Sequence, residues 1–475
     1  MAASSKIGDQ CDLDVHALSH DGRAVGRVLD ENDASARGHV VFVPGALPGQ
    51  RVRVRLTAVK KSFAEGHLVA VLTPAPDAVP PACPHADDCG GCPLQEMPYT
   101  AQLQWKQRIL SDALTRIGRL KDLTIRDIMP SPQEWGYRNK MEFAFASNVQ
   151  GQLYLGLRQR GSHEVVDITH CKLLPEPAMK VLAVMRDLAA KSGLDSWDSD
   201  GGGSGFWRFL VLRMPQSMPV GEEKSALARQ CLVYCITSRR TATEHVLVKD
   251  LGHALMAAVP EVTGFVHEVR DSVDNVPMGE KSLCRLGEDV LTEYLGGHAY
   301  AVGCKSFFQV NSGAAENLCT AVEEGAGLSG AEVLWDVYCG VGAPGLSIAG
   351  KAARVYGIET SSQAVDMARK NAETAGYSHC AYAVGEAQIL LRRLAGPHVV
   401  LVDPPRGGLH SEVVKELLRA KPKRIVYVSC NPATLARDAA LLVRAGYAIG
   451  MVQAVDLFPQ TPHVEAVMVF DAVAG

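Results

Sequence analysis

The 475-residue sequence contains no apolar run of about 18 residues, the length that a helix needs to cross a bilayer. Its first residues also lack the apolar core of a secretory signal peptide. We therefore expect a cytoplasmic protein without a membrane segment. A G-x-x-x-x-G-K-[ST] loop is absent as well, which argues against a site for a nucleoside triphosphate, and no internal repeat is found.

The sequence also has little excess of either charge, because the formal net charge is only −4 and the sequence pI is near 6.4. This balance excludes a protein that coats nucleic acid indiscriminately, so any affinity for nucleic acid must come from local basic patches. The composition, with 47% apolar and 21% charged residues, is that of a compact soluble protein. The length predicts roughly two to four domains.

A thiol and a carboxylate near the C-terminus suggest covalent catalysis. Cys430 follows the apolar run 425–428 and precedes an Asn-Pro turn, which places it at the carboxyl end of a strand, where open α/β sheets bind ligands. A thiolate that adds to carbon 6 of a uracil makes carbon 5 nucleophilic, and a base such as Glu465 must then remove the carbon 5 proton. The alternative for Cys430 is a buried packing role, which free cysteines usually have.

A strand-end acid followed by two prolines lies ahead of this thiol. The apolar strand 399–402 ends in Asp403, and the two prolines after it form a stiff turn that cannot continue as a helix or a central strand. In nucleobase methyltransferases such a turn lines the slot between the cofactor and the target ring. A purely structural turn is the alternative.

A glycine loop and a second strand-end acid indicate a nucleotide-type site. Strand 333–337 runs into a loop with Gly340 and Gly342, where the backbone can approach a ligand closely. Glu359 lies 19 residues beyond Gly340, the spacing at which an acid reaches ribose hydroxyls. A full G-x-G-x-x-G is read as absent, which disfavours a nicotinamide cofactor, and S-adenosylmethionine is the favoured ligand. Helical patterns alternate with these strands and predict a Rossmann-like domain with a parallel sheet covered on both faces.

Three of the 13 cysteines have the C-x5-C-x2-C spacing of a metal centre: Cys83, Cys89 and Cys92. Glycine and proline surround them and permit the sharp turns that bring thiolates around one centre. Such a centre needs a fourth ligand. Zinc is the main competitor of an iron–sulfur cluster, and disulfides are disfavoured because a chain without secretory features keeps its thiols reduced.

The first 73 residues read as short strands punctuated by glycines, the pattern of a small β-barrel. Within segment 51–56, arginines alternate with apolar residues, so that one face is basic and the other apolar. Lys60 and Lys61 extend the charge, and the patch can contact several phosphates. The alternative is a solvated sheet face, because charged runs are commonly just surface.

Four motifs in this order resemble one family, the RNA 5-methyluridine methyltransferases, and specifically its iron–sulfur 23S ribosomal RNA branch with an N-terminal TRAM domain. The resemblance covers nearly the whole chain. The motifs are the segments 305–311, 336–340, 403–406 and 429–432.

The resemblance implies a multidomain α/β fold with three parts. Residues 1–73 would form an OB-like TRAM barrel that binds RNA, and residues 74–300 a central α+β domain with the cysteine cluster. Residues 301–475 would form the Rossmann-like methyltransferase domain.

The resemblance also implies the roles of individual residues. Cys430 would be the nucleophile and Glu465 the base that takes the carbon 5 proton. Cys171 would be the remote fourth ligand of a [4Fe-4S] cluster, beside Cys83, Cys89 and Cys92. The residues expected to contact S-adenosylmethionine are Gln309, Tyr338, Glu359 and Asp403.

One departure from the family concerns the segment after Gly342, where related enzymes often carry a polar residue and this chain has Ala343-Pro344-Gly345. A side-chain hydrogen bond to the cofactor is therefore not expected there. The partner implied is RNA, ribosomal before transfer RNA, and the protein is expected to be a monomer.

Three competing functions remain open from the sequence. A 5-methylcytidine transferase uses the same addition chemistry, but enzymes of that class carry a cysteine where this chain has Arg406. A small-molecule methyltransferase would not need the barrel or its basic strand. A non-catalytic RNA-binding protein would not need Cys430 and Glu465.

Overall fold

A computed structural model describes residues 6–28, 39–198, 202–216, 230–239, 241–394 and 396–473. Its N-terminal part is a closed five-stranded barrel with the strand order β1-β2-β3-β5-β4, which confirms the barrel predicted from the sequence. The strands are β1 (Gln10–Leu18), β2 (Ala24–Val28), β3 (Val40–Val43), β4 (Arg51–Val59) and β5 (Ala64–Thr73).

The alternation along β4 is confirmed, since every second side chain faces the barrel core. Arg53 donates to Asp12 across the pair β1–β4 at 2.8 Å, so one of the three arginines has a carboxylate partner. The side chains that face outward are Arg51, Arg53 and Arg55. Those that face the barrel core are Val52, Val54 and Leu56.

A helix and a short strand follow the cysteine segment, and both lie against the C-terminal part of the chain. The helix α1 (Tyr99–Asp112) continues into a single π-helical turn at Ala113–Ile117. The strand β6 (Arg126–Met129) is an edge strand of the C-terminal sheet. Part of the stretch 74–300 therefore belongs structurally to that sheet.

The middle of the chain forms a seven-stranded sheet with two helices, α2 (Glu176–Lys191) and α3 (Ala242–Ala258), packed on one face. Cys231 and Cys235 lie with Val233 in this core and are fully buried. The sheet order is β13-β12-β11-β10-β7-β8-β9. The strands are β7 (Lys140–Ser147), β8 (Leu153–Arg158), β9 (Val165–Asp167), β10 (Trp207–Arg213), β11 (Cys231–Thr237), β12 (Val262–Val269) and β13 (Lys281–Gly287).

A hairpin connects the two sheets. It consists of β14 (Leu291–Leu295) and β15 (His298–Val302), and the chain then enters α4 (Ser312–Ala326). The side chain of Asn311 caps α4 by accepting from the Ala314 amide at 3.1 Å. The cap fixes the end of the segment 303–311, which contains Gln309.

The C-terminal sheet has eight strands in the order β18-β17-β16-β19-β20-β22-β21-β6. Its new strands are β16 (Val333–Val337), β17 (Arg354–Glu359), β18 (Cys380–Val384), β19 (Val399–Val402), β20 (Arg424–Ser429), β21 (Tyr447–Val455) and β22 (Glu465–Ala472). The helices are α5 (Ala343–Ala349), α6 (Ser362–Thr374), α7 (Ala387–Leu390), α8 (Ser411–Ala420) and α9 (Pro432–Arg444).

The expectation of a purely parallel sheet is wrong at one side. Strands β16 to β20 are parallel, but β22 runs antiparallel to both β20 and β21. The reason is that β21 and β22 form a hairpin, which reverses the chain without a crossover helix. Helices cover both faces, as expected: α8 and α9 pack on one face, and α4, α5 and α6 on the other.

No helix in the described ranges is both long enough and apolar enough to span a membrane.

Candidate active site

The parallel strands of the C-terminal sheet bring four of the predicted site residues to one edge. Tyr338 directly follows β16, Glu359 ends β17, Asp403 follows β19 and Cys430 follows β20. Because these strands are parallel neighbours, their carboxyl ends meet. This edge is the candidate active site.

The glycine loop after β16 turns sharply back over the sheet. Tyr338 has a left-handed backbone with φ 68°, and the loop continues through Gly342 at φ 89°. A Cβ at Gly345 would lie 2.0 Å from Oδ2 of Asp336, so only glycine allows α5 to approach this carboxyl. Gly340, Gly342 and Gly345 together form a complete G-x-G-x-x-G, so the reading of this motif as absent was wrong. Gly345 was not named as a site residue from the sequence.

The Glu359 carboxylate folds back across the loop and the start of α6. It accepts from the backbone amides of Thr360 at 2.7 Å, Ser361 at 2.9 Å and Gly340 at 3.3 Å. The amides hold the carboxylate between the glycine loop and α6. A ligand in the loop would find a fixed acceptor there.

Two carboxyl groups lie deep in the site. Asp336 is buried, and its Oδ2 has no hydrogen-bond partner. Burial, and then the charges of Asp403 and Glu359, raise its pKa to about 8. Burial raises the pKa of Asp403 to about 7. The sequence analysis did not name Asp336 as a site residue, and its signal was a carboxylate inside an apolar strand, which is rare without a function.

The thiol and the C-terminal carboxyl meet because β20 and β22 are antiparallel partners. Ser429 pairs with Ala466, so one step further along both strands Cys430 lies beside Glu465. Burial, followed by the charges of Glu465 and Asp403, raises the pKa of Cys430 to about 11. Burial and Asp403 raise the pKa of Glu465 to about 8. The structure thus brings Cys430, Glu465 and Asp403 together.

Arg406 supplies positive charge at this place. Its charge opposes the rise in the pKa of both Cys430 and Glu465. Its backbone carbonyl accepts from Asn431 Nδ2 at 3.0 Å and from Thr434 Oγ1 at 3.3 Å, which ties the Asp-Pro-Pro turn to the thiol loop. The sequence analysis used Arg406 only to exclude another class of enzyme and missed its charge.

His463 belongs to the same neighbourhood. It is half-buried, and burial together with the charges of Arg406, Lys106 and Arg138 lowers its pKa to about 4. The imidazole is therefore neutral at pH 7. It was not named as a site residue from the sequence.

Gln309 lies on the segment that joins the hairpin to α4. Its side chain is buried, and its backbone carbonyl accepts from Asn139 Nδ2 at 2.9 Å. The neighbouring Phe307 is 68% exposed. This segment forms the seam between the central and the C-terminal sheets.

The four cysteines predicted as metal ligands line one pocket, which joins the remote Cys171 to the segment that carries Cys83, Cys89 and Cys92. Burial, followed by the charges of the other three thiols, raises the pKa of Cys92 well above its ordinary value. Burial likewise raises the pKa of Cys171 to about 11. Across the described ranges, no group of three or more His, Cys, Asp or Glu side chains is arranged to hold a metal ion.

Sequence profiles of known families match both ends of the chain. The TRAM domain matches residues 4–69, and the family described as tRNA (Uracil-5-)-methyltransferase matches residues 387–473. The RNA cap guanine-N2 methyltransferase family matches residues 331–416.

Relatives align along nearly the full length. An uncharacterized RNA methyltransferase of Nitratidesulfovibrio vulgaris is 46% identical over 97% of this chain and 96% of its own. Another, of Geobacter sulfurreducens, is 36% identical over 97% of this chain and 90% of its own. The crystal structure of Pyrococcus abyssi tRNA (uracil-54, C5)-methyltransferase in complex with S-adenosyl-L-homocysteine is 28% identical, with a TM-score of 0.73 over 96% of this chain and 99% of that one.

A TRAM barrel followed by a Rossmann-like sheet with a glycine loop and strand-end acids defines an RNA methyltransferase. By relatives that align with it along nearly the full length, the chain belongs to a family of RNA methyltransferases. Its C-terminal segment matches the tRNA (Uracil-5-)-methyltransferase family model.

The raised pKa of Glu465 gives a prediction about stability. Its ordinary pKa is 4.5 and its folded pKa about 8, so between these values the folded protein holds a proton that the unfolded chain has released. Stability therefore falls as pH rises through this window. Glu465→Gln removes this loss, and we expect its melting temperature to exceed that of the wild type by about 3 °C or more near pH 9.

The difference should shrink towards about pH 5, where the wild-type carboxyl is protonated in the folded state. Thermal melts of both proteins over this range measure it. A variant that is less stable than the wild type near pH 9 would contradict the burial of an uncompensated carboxylate.

Proposed function

We propose that the protein methylates carbon 5 of a uridine in RNA, with Cys430 as the nucleophile and Glu465 as the base. The observation that carries this proposal is the adjacency of Cys430 and Glu465 across β20 and β22, next to Asp403. A thiol and a carboxyl of raised pKa at the ligand-binding edge of the sheet are the two groups that addition to a pyrimidine requires.

The residues at the glycine loop fit S-adenosylmethionine, which supplies an electrophilic methyl group when it is bound. Gln309, Tyr338, Glu359 and Asp403 would hold it. The ligand is cationic at its sulfonium and amino groups, and the loop region offers Glu359, Asp403 and the unpartnered oxygen of Asp336. Positive charge there would relieve the repulsion among these acids. The Pyrococcus abyssi relative was crystallised with S-adenosyl-L-homocysteine.

The proposed reaction balances with the groups present. The Cys430 thiol loses its proton to solvent, and its sulfur bonds to carbon 6 of the uracil as the ring double bond opens. Carbon 5 then takes the methyl group as the sulfonium–methyl bond breaks. Glu465 then removes the carbon 5 proton, the carbon–sulfur bond breaks, and the ring double bond returns. A Glu465 pKa of about 8 suits this step, because a base that titrates near the working pH can accept the proton and later release it.

The thiol requires activation, because its raised pKa keeps it protonated at neutral pH. Arg406 favours the thiolate. Extrusion of the target base from its stack would bring the ring into the slot beside Asp403 and the following prolines.

Two substitutions separate the proposed roles. Cys430→Ala should retain binding of S-adenosylmethionine while methyl transfer falls by at least about 1,000-fold, because the covalent step is lost. Glu465→Gln should accumulate a protein–RNA adduct on denaturing gels, since addition and methylation precede proton removal. Calorimetric binding and labelled methyl incorporation measure the two effects.

Undiminished turnover by Cys430→Ala would refute covalent catalysis. Complete absence of an adduct with Glu465→Gln, under conditions where methyl transfer is detected, would count against the carboxylate as the base. Cys319→Ala, a buried cysteine of α4, is the matched control and should keep its activity.

Ribosomal RNA is the substrate that we propose first, on the resemblance of the four sequence motifs. The outward face of β4 carries Arg51 and Arg55 for contact with phosphates. Two cations also lie over aromatic rings of the barrel, Arg23 over Phe42 and Lys60 over Phe63. Transfer RNA is the second candidate, because the Pyrococcus abyssi relative is named for a tRNA uracil.

Mapping of 5-methyluridine in RNA from cells that lack this gene decides between the two. We expect one ribosomal uridine to lose its methyl group, with that position restored by the wild-type gene but not by Cys430→Ala. Loss confined to transfer RNA would overturn the ribosomal assignment while leaving the chemistry intact.

The cysteine pocket fits a [4Fe-4S] cluster held by Cys83, Cys89, Cys92 and Cys171. A cubane takes one thiolate at each of four corners, so its ligands surround a pocket rather than converge on one ion. Four thiols that line one pocket are compatible with this requirement. Such a cluster would cross-link the cysteine segment to the central sheet.

Protein purified without oxygen should contain about four irons and four sulfides per chain. Cys171→Ser should lose most of this iron, whereas Cys284→Ser, a half-buried cysteine outside the pocket, should keep it. Elemental analysis measures the metal. A result of about one zinc per chain and no sulfide would overturn the cluster and identify a zinc site instead.

The remaining parts of the proposal concern organisation. We propose that residues 1–73, 74–300 and 301–475 act as barrel, central and catalytic domains of a cytoplasmic monomer. The central domain then contributes α1 and β6 to the surroundings of the catalytic sheet.

A further inference from the structure

The loop 456–464 joins β21 to β22 and ends directly before Glu465. A hairpin between adjacent antiparallel strands is usually closed by two to five residues, so this loop is longer than the connection requires. Its second half carries His463 into the active site. The position of this loop therefore bears on the base itself.

The start of the loop is held by a buried ion pair with α1. Lys106 Nζ donates to Asp456 Oδ1 at 2.5 Å and to the Phe458 carbonyl at 2.8 Å, and both charged side chains are fully buried. The hydroxyl of Tyr99 donates to the other oxygen, Asp456 Oδ2, at 2.9 Å. A buried pair with these added bonds fixes one geometry, because any displacement leaves a charge without a partner.

The middle of the loop is held by a reciprocal amide pair. The backbone amide of Gln460 donates to Gln102 Oε1 at 2.9 Å, and Gln102 Nε2 donates to the side-chain oxygen Gln460 Oε1 at 2.9 Å. Gln460 has φ 70°, a left-handed backbone that costs free energy in a residue other than glycine. The surroundings must hold this conformation. The Gln102 side chain bonds to both the backbone and the side chain of Gln460.

Three further parts of the chain contact the same loop. The Leu94 amide donates to the Gln460 carbonyl at 3.0 Å, and the Tyr137 hydroxyl donates to the Pro459 carbonyl at 2.9 Å. At the barrel turn, a Cβ on Gly22 would lie 2.2 Å from Pro462 Cγ, so the turn packs directly on the loop. The nine residues of the loop 456–464 are therefore contacted by the barrel, the cysteine segment, α1 and the chain just before β7.

We propose that Gln102, Lys106 and Tyr99 are positioning residues, which hold the loop 456–464 so that the Glu465 carboxyl faces carbon 5 of a ring bonded to Cys430. The inference rests on the proposed function, because it assigns the network to the proton-removal step. None of the three side chains is required to touch RNA or cofactor.

The step at which the network acts makes the inference testable. In the proposed reaction the Cys430 thiolate adds and carbon 5 is methylated before Glu465 acts, whereas release of the product needs Glu465. RNA that carries 5-fluorouridine at the target has fluorine in place of the carbon 5 proton, so its methylated adduct forms without the base and cannot resolve. The rate of adduct formation with this RNA reports only on the steps before Glu465 acts.

Gln102→Leu is the informative variant, because it leaves no buried charge unpaired. It removes both bonds to Gln460 and also the bonds from Gln102 Nε2 to the carbonyls of Leu94 at 3.2 Å and Met97 at 2.9 Å. We expect its kcat on uridine RNA to fall by about 100-fold, the effect of a displacement near 1 Å, with KM within about twofold of the wild type. Adduct should accumulate on uridine RNA. On 5-fluorouridine RNA the adduct should form at the wild-type rate.

Gln107→Leu is the matched control on the same helix. Its side chain accepts from the Ile128 amide at 2.8 Å, in β6. It therefore reaches the loop only through this strand, where the Met129 carbonyl accepts from the Asp456 amide at 2.9 Å. The substitution removes one side-chain hydrogen bond of α1, and we expect wild-type turnover, because β6 stays paired with β21. Tyr99→Phe removes a single hydroxyl from the network and should lower kcat by about tenfold with the same adduct pattern; it carries the test if Gln102→Leu does not fold.

Two results would overturn the inference. One is an adduct rate on 5-fluorouridine RNA that falls in step with turnover, and the other is an equal loss in Gln102→Leu and Gln107→Leu, since either would mean that the network only supports the fold. A wild-type protein that forms no adduct on 5-fluorouridine RNA would instead refute the covalent function itself.

Discussion

The active site depends on the burial of carboxyl groups at one edge of the C-terminal sheet. Asp336, Asp403 and Glu465 lie in surroundings that disfavour their charged forms, and burial is the main cause of the rise in the pKa of each. The positive charge of Arg406 opposes the rise in the pKa of Glu465. The cluster costs stability in the absence of a ligand, a conflict typical of sites whose charges serve a bound molecule.

The sheet topology explains how so few residues achieve this arrangement. Parallel strands deliver Asp403 and Cys430 to one edge, but a purely parallel sheet would leave Glu465 without a route to Cys430. The antiparallel return of β22 beside β20 supplies that route, because opposite residues of antiparallel strands share a face. The departure from a parallel sheet is therefore what assembles the thiol and the carboxyl.

Much of the fold follows from local pattern, and the tertiary contacts do not. The alternation of Arg51 to Leu56 and the apolar strands before Asp403 and Cys430 depend on neighbours in sequence, so the barrel and the strand ends were predictable. The pair Lys106–Asp456 joins residues 350 positions apart, and no periodicity relates them. Asp336 was overlooked for a similar reason, since its lack of a partner is visible only when the packing around Gly345 is known.

The cysteine segment 74–98 contacts the loop that precedes Glu465. In the described structure, residues 74–98 form turns and one isolated bridge, Cys89 with Gln159, but no helix or regular strand. Such a segment has few backbone hydrogen bonds to fix it, yet its Leu94 amide bonds to Gln460 in the loop before Glu465. A cross-link through Cys92 would hold Leu94 in place by two residues of chain. A metal centre in this pocket would therefore support the geometry of the base without any change of redox state, which gives a reason for a cluster in an enzyme whose proposed chemistry transfers no electrons.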